Sequence, residues 1–348
     1  MKKGNLKIKK NIAKTTALIL ALVLLPSCGK GYEKPVIEPI DEKDRLVVYT
    51  SHKEEVYAPI IKEFEERYGI WVDVKTAGTT EMLEDIRNNY GEFICDVVFG
   101  GGAESYNAYS DYFIPYEVTD KDKVKNYDLS DKNYWTPFSE LPVVIVYNKK
   151  LVAKEHVPTG WGSLFEPYYK GNIAFANPLN SGSSVTILLT ILQALPGNDK
   201  SVLEDFVNQL DGKILESSGD VTSSVSEGKF TVGLTLEETA CKAIEAGADI
   251  QIVYPSEGTS AVPDAAAIVQ GAVHEENAGK FLEFITSVDV QKTTTSSMYR
   301  RSIRTDVNDA ILPARLNLLG YSINQATSQR EFLFSCWNEF TGAEVQDE

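Results

Sequence analysis

The chain has 348 residues, 34 Lys and Arg against 50 Asp and Glu, and a formal net charge of −16. No basic stripe interleaved with aromatics occurs, so the electrostatic footprint of a nucleic-acid binder is missing. Four cysteines at wide, irregular spacing form neither a disulfide framework nor a zinc pattern.

Residues 1–27 contain six lysines and no acid, with an apolar run from Ala17 to Leu25. That run is shorter than the roughly 20 apolar residues that cross a bilayer, and its basic flank marks an export signal. Leu25-Pro26-Ser27-Cys28 is similar to the bacterial lipobox, so cleavage after residue 27 and lipidation of Cys28 are expected. Loss of the six lysines moves the formal charge from −16 to −22. This acidity is read as a solvated surface, since ligand preference is set by a few local groups. Residues 28–44 are charged, carry prolines and lack an apolar period, which predicts a tether.

"RLVVYTS" from Arg45 reads as a strand, and Val56, Ile60, Ile61 and Phe64 fall at helical spacing. "WVDVKTAG" is a second strand, "TEMLEDIRNNY" a helix, and "CDVVFGGGAES" a strand running into glycines. This alternation predicts a parallel α/β sheet with crossover helices. "NYWTPFSELPVVIVYNKKLV" then reads as a strand leaving the first lobe. A second series follows: "GNIAFANP" (strand), "SSVTILLTILQAL" and "SVLEDFVNQL" (helices), "FTVGLTL" (strand), "EETACKAIEAG" (helix) and "DIQIVYP" (strand). "GTSAVPDAAAIVQGA" is a return strand, "EENAGKFLEFITSVDVQKTTTS" one helix, and residues 308–348 are mainly helical, with Leu316, Leu318, Leu319, Phe332, Leu333, Phe334 and Trp337 available for packing.

Roughly 320 mature residues exceed one ordinary core and predict two lobes. Lobe one is assigned to residues 45–141 and 263–348, lobe two to 142–262, with crossings near 141–147 and 256–263. Cys95 and Cys241 lie in apolar contexts and are expected to pack in the core. His156 and His274 are expected at the surface.

Open α/β sheets bind ligands at the carboxyl ends of their strands. Here those ends are Thr50-Ser51-His52, Ala77-Gly78-Thr79-Thr80 and Gly100-Gly101-Gly102-Ala103 in lobe one, and Asn177 to Ser184 in lobe two. The stretch "FANPLNSGSSVTILLTILQAL" brings hydroxyls and glycine to the mouth of a helix. Ser, Asn and Gly there serve either as an ordinary cap or as an anion seat at the positive end of the helix dipole.

Together, "LVVYTSHKEEVYAPIIKEFEERYGI", "DVVFGGGAESYNAY", "ANPLNSGSSVTILLTILQ", "VGLTLEETACKAIEAGADIQIVYPSEGTSAVPDAAAIVQGA" and "YRRSIRTDV" resemble the substrate-binding lipoproteins of ABC importers. The branch is the one containing ferric-iron, phosphonate and sugar-phosphate binders. The resemblance spans about residues 45–310 and implies a two-lobed type II periplasmic-binding-protein fold with a ligand cleft between the lobes. It also implies hinge closure over a small anionic solute, a phosphonate or a phosphorylated compound, and delivery to a membrane permease driven by its ATPase. A monomer outside the cytoplasm, held to the membrane by lipid on Cys28, is the expected form, with no cofactor and no resident metal.

The resemblance places ligand contacts at Ser51, His52, Thr79, Thr80, Gly101, Gly102 and Ala103 of lobe one. In lobe two it places them at Asn177, Ser181, Gly182, Ser183, Ser184, Thr235 and Glu237. Glu237 or Glu238 would receive an amine or sugar hydroxyls; as helix-start charges they are equally at home. Arg300, Arg301 and Arg304 are read as structural or permease contacts. Ferric binders of the branch supply a tyrosine pair after a "VGL" strand, whereas Gly233 to Thr239 here contain none. Tyr106, Tyr109, Tyr147 and Tyr254 keep ferric iron as the alternative. An enzyme is disfavoured because the glycine run 100–102 has no G-x-S-x-G elbow.

Overall fold

A computed structural model describes residues 40–127, 130–308, 312 and 316–342. The export signal, Cys28 and nearly all of the tether lie outside the described residues.

Strand β1 (Arg45–Thr50) buries Leu46 and Val48 and leads into α1 (Glu54–Tyr68), whose inward stripe is Val56, Ile60, Ile61 and Phe64. Gly69 ends that helix in the left-handed region at φ 67°, its N–H donating to Glu65 O, a conformation that costs glycine nothing. Next come β2 (Trp71–Thr76), α2 (Thr79–Asn88), β3 (Val97–Gly102), the short α3 (Ala103–Ala108) and β4 (Phe113–Ile114). β1 pairs in parallel with both β2 and β3, as the alternating pattern predicts.

The 13-residue β5 (Thr136–Asn148) changes partners along its length. Residues up to Pro142 run antiparallel to β9 (Ala261–Val269), and those from Val143 onward pair with β7 (Val232–Leu236) and β8 (Ile250–Val253). β5 therefore carries the chain from one half of the sheet to the other. The second half also holds β6 (Ile173–Ala174), parallel to β7, with α4 (Gly182–Ala194), α5 (Asp199–Leu210), α6 (Val221–Ser226) and α7 (Glu237–Glu245). After β9 follow α8 (Glu275–Ile285), α9 (Val288–Met298), β10 (Arg301–Ser302), which pairs with β5, and α10 (Ile323–Thr341).

Each half is covered on both faces, as parallel strands require. One cluster joins Leu46, Val48, Phe64, Phe99, Phe281 and Phe284, and another joins Met82, Val98, Tyr106 and Ala267 on the opposite face. In the second half Leu188, Leu189 and Phe206 pack with Leu333 and Trp337 of α10. α10 also meets the first half: Thr327 Oγ1 donates to Glu104 O at 3.2 Å.

Several local expectations are corrected. The single helix expected over 275–296 is two, because Thr286 Oγ1 bonds back to Leu282 O at 3.0 Å and Ser287 is extended. The expected strand over 171–178 is only Ile173–Ala174; beyond it Phe175 and Asn177 bond to Leu215 in a loop, and Pro178 has no N–H to extend a ladder. His274 is half-buried and its side chain only 6% exposed, with Nδ1 2.8 Å from Asp96 Oδ2, which is itself fully enclosed. Cys95 is buried, and burial pushes its thiol up to about 12, whereas Cys241 is only half-buried. Phe332 and Leu318 face solvent while Leu333 and Trp337 fill the core.

Candidate functional site

A cavity of about 190 Å³ lies where the two halves of the sheet meet. The ends of β1, β3 and β7 reach it, followed in each case by the segment that begins a helix. Its wall includes Lys53 before α1, Gly78 and Thr79 at the start of α2, Ser181 to Ser183 at the start of α4, and Glu238 and Thr239 at the start of α7. Four helices of at least nine residues thus direct their amino ends at one space. Aligned peptide dipoles and unpaired first-turn amides make such ends electropositive.

The hydroxyl stretch at α4 caps its helix and also faces the cavity. Ser181 is the N-cap, accepting from Ser184 N at 3.3 Å, and its Oγ lies 3.0 Å from Ser183 Oγ. The same residues line the cavity together with Gly182. The α1 and α2 starts have no side-chain cap. Across the cleft, Thr79 Oγ1 donates to Ser51 Oγ at 3.1 Å. Glycine is required here by close approach: a Cβ on Gly101, at φ +100°, would sit 2.4 Å from Thr79 Cγ2.

The floor of the cavity is a chain of buried charges. Arg300 Nη1 lies 2.6 Å from Asp264 Oδ2 and 3.1 Å from Ser139 Oγ, and its Nη2 lies 2.9 Å from Glu238 Oε2. Glu238 is also bound by Lys242 Nζ at 2.6 Å. Burial opposes ionisation of Glu238, yet Arg300 and Lys242 outweigh it and hold the carboxyl below its usual range. Beside them His52 is pushed well below the usual imidazole range, first by burial and then by the positive charges of Arg300 and Lys242. The imidazole is therefore neutral. Its Nε2 is 3.3 Å from Asp264 Oδ2 but out of line for a hydrogen bond.

Nine of the fourteen residues placed by the resemblance surround this cavity: Ser51, His52, Thr79, Gly101, Gly102, Ser181, Gly182, Ser183 and Thr235. The other five stand behind it. Thr80 faces Arg330 at 3.5 Å, Ala103 is buried as α3 begins, Asn177 Oδ1 accepts from Leu179 N, and Ser184 is buried behind its cap. Glu237 is gripped by Arg301 through two bonds of 2.8 and 2.9 Å and receives Tyr254 Oη at 2.5 Å. Lys53, Ser218 and Gly219 are lining residues that strand-end reasoning missed, and Asn180 lines the cavity from within the strand-end stretch 177–184 without having been singled out. Lys53 follows His52 directly, so its position one step past a strand end was the available signal. Its Nζ reaches to 3.4 Å from the space a Cβ on Gly219 would fill, and it forms no ion pair among the described residues.

Residues 95–323 match the family model described as bacterial extracellular solute-binding protein. An uncharacterized protein of Haemophilus influenzae is 26% identical over 314 residues, covering 85% of this chain and 90% of that one. Iron uptake protein A1 of Synechocystis is 24% identical, covering 83% and 84%. Among solved structures, the periplasmic binding protein AfuA from Actinobacillus pleuropneumoniae with fructose-6-phosphate bound matches with a TM-score of 0.78 at 21% identity, over 86% of this chain and 99% of that one. The resemblance seen in the sequence therefore holds, and the chain belongs to the bacterial extracellular solute-binding proteins, the solute-capturing components of ABC importers.

Proposed function

We propose that this protein captures a small anionic solute bearing a phosphoryl or phosphonyl group, closes its lobes over it, and delivers it to an ABC permease from a lipid anchor on Cys28. The observation that carries this reading is the convergence on one cavity of four helix amino ends and Lys53, which has no ion pair among the described residues. An anion there gains amide donors and a cation without displacing any ion pair. The tyrosines behind the ferric alternative are used elsewhere: Tyr106 Oη donates to Gly100 O, Tyr109 to Glu84, Tyr147 to Gln251 and Tyr254 to Glu237. None of them lines the cavity.

Calorimetric titration of the purified protein with inorganic phosphate, D-glucose 6-phosphate, 2-aminoethylphosphonate and ferric citrate tests the reading. At least one phosphorus compound is expected to bind. Lys53→Glu, at an exposed position, should keep the melting temperature and weaken that binding about tenfold or more, at least about 1.4 kcal/mol. Binding of ferric citrate alone would replace this reading by the iron one.

A further inference from the structure

A buried acid stands where the two halves of the sheet touch behind the cavity. Glu104, the second residue of α3, belongs to the first half and has no exposed surface. Its Oε1 is hydrogen-bonded to Thr186 Oγ1 of α4, in the second half. Its Oε2 makes no hydrogen bond and lies against the end of β3, 2.6 Å from where a Cβ on Gly102 would be. Gly102 and Thr186 both line the cavity, so the acid spans the seam just behind its wall. The charged and titratable groups around it are few. α4 carries no charged residue, β3 ends in three glycines, and α3 adds only Tyr106, whose hydroxyl donates to Gly100 O. From α10 comes Arg330, which lies over Tyr109 and Phe334, approaches Thr80 Oγ1 at 3.5 Å and makes no ion pair with Glu104 among the described residues. Just before α10, the buried Tyr321 hydroxyl keeps its proton through burial and the nearness of Glu104.

Thr186 Oγ1 is also 3.3 Å from Gly182 O, in the first turn of α4. A carbonyl only accepts and a hydroxyl has one proton, so Thr186 serves both partners only if Glu104 is the donor in their bond. A neutral acid meets that demand: Glu104 donates to Thr186, and Thr186 donates to Gly182. A carboxylate would leave Gly182 without the Thr186 hydroxyl and would keep a charge in a dry site with one oxygen unbonded, which is costly. Burial pushes the carboxyl above its usual range, outweighing the opposing pull of Thr186, its own amide and Arg330.

We propose that Glu104 is a positioning residue that works as a neutral acid: it takes one proton from water as the halves close, ties α3 to the α4 start through Thr186, and returns that proton when the halves part and water reaches it. This rests on the closure reading above and couples it to a proton. Proton uptake on closure favours the closed form at low pH, and the advantage is lost as pH rises through the closed-form pKa. Solute held in the closed cleft is therefore released more readily as pH rises.

The first test needs no solute. A Cβ on Gly182 would lie 3.2 Å from Thr79 Cβ, near the spacing of a disulfide, so a protein carrying Thr79→Cys and Gly182→Cys locks the halves when oxidised and frees them when reduced. Infrared titration from about pH 8.5 to about 4.5 should show a protonated-carboxyl band that appears at higher pH in the oxidised than in the reduced protein. Adding Glu104→Gln should remove that difference. The second test is calorimetry of the parent and Glu104→Gln with D-glucose 6-phosphate, 2-aminoethylphosphonate and ferric citrate, each in two buffers of different ionisation enthalpy. With the compound that binds, the parent should take up as much as about one proton more than Glu104→Gln, and its affinity should fall by up to about tenfold per pH unit as pH rises. Glu104→Gln, whose amide donates to Thr186 as the acid does, should show a flatter profile. The titration of the solute itself is common to both proteins and cancels. Equal proton uptake by the two proteins, or coincident infrared titrations of the oxidised and reduced forms, would overturn the role of Glu104 and leave the anion reading in place. Binding of ferric citrate alone would overturn the anion reading, and the proton difference measured on ferric citrate would still decide for or against Glu104.

Discussion

His52 is neutral because its ring is enclosed by Phe99, Phe138 and Gly100 and faces the Arg300 charge. Its folded pKa is depressed while the unfolded chain titrates near 6.5. The unfolded state therefore takes up the proton first, and the stability present above pH 6.5 is lost as pH falls below it. One such proton approaches a slope of about 1.4 kcal/mol per pH unit. Urea unfolding between pH 7.5 and 5.0 should show the parent losing stability more steeply below pH 6.5 than His52→Phe; parallel curves would mean that the imidazole titrates in the fold as it does in the unfolded chain. Arg300 and Arg301 are residues of the same kind. Neighbours in sequence, they grip the neighbouring Glu238 and Glu237 at the start of α7, and both pairs are buried. Such pairs add little net stability, but removing one partner strands a charge.

At the scale of elements, α4 shows that a capped helix start can still open onto a cavity. Ser181 satisfies one amide of the first turn, and the rest of the turn still faces the cavity. Ser183→Asp separates the two roles. A carboxylate in a helix first turn is neutral or mildly favourable for folding, but it repels an anion held there. The variant is expected to melt close to the parent and to bind the parent's phosphorylated solute about tenfold or more weakly by calorimetry; unchanged affinity would reduce the stretch to an ordinary cap. α4 is otherwise enclosed on nearly every side, with Val185, Thr186, Ile187, Leu188, Leu189, Thr190 and Ile191 buried. That is the pattern of a helix enclosed in its half of the molecule, and it gives the cavity wall a rigid backing.

At the scale of the whole molecule, the two halves are close together at Gly182 and Thr79. A Cβ on Gly182 would lie 3.0 Å from Thr79 Oγ1 and 3.2 Å from Thr79 Cβ. β5 and the segment entering β9 connect the halves behind the cavity, an arrangement suited to hinge motion. A solute that touches both sides favours the closed state by its differential affinity. Small-angle scattering of the parent should give a smaller radius of gyration with saturating solute. Gly182→Leu should fold, keep the larger radius when solute is added, and bind weakly; a Gly182→Leu protein that closes like the parent would place the contact outside the closing motion. For the anchor, labelled fatty acid should enter the parent and not Cys28→Ser, and label in both would remove the lipid from Cys28.

The sequence by itself determined the α/β class, the order of most elements and the strand-end loops, because these follow from apolar periodicity and turn chemistry within short windows. The inward stripe of α1, the α4 helix and the long β5 were legible in that way, as were Ser51, Thr79 and Ser181 to Ser183 on the cavity wall. Only the tertiary structure decided what pairs with what. No local pattern shows that Glu237 and Glu238 pair with Arg301 and Arg300, more than 60 positions away. His274 was misplaced for the same reason: its partner Asp96 is brought to it by the folding of β3 against β9. Lys53 was missed because its place on the cavity wall depends on groups that are distant in the chain and adjacent only in the fold, and the field at such a site is a sum over them.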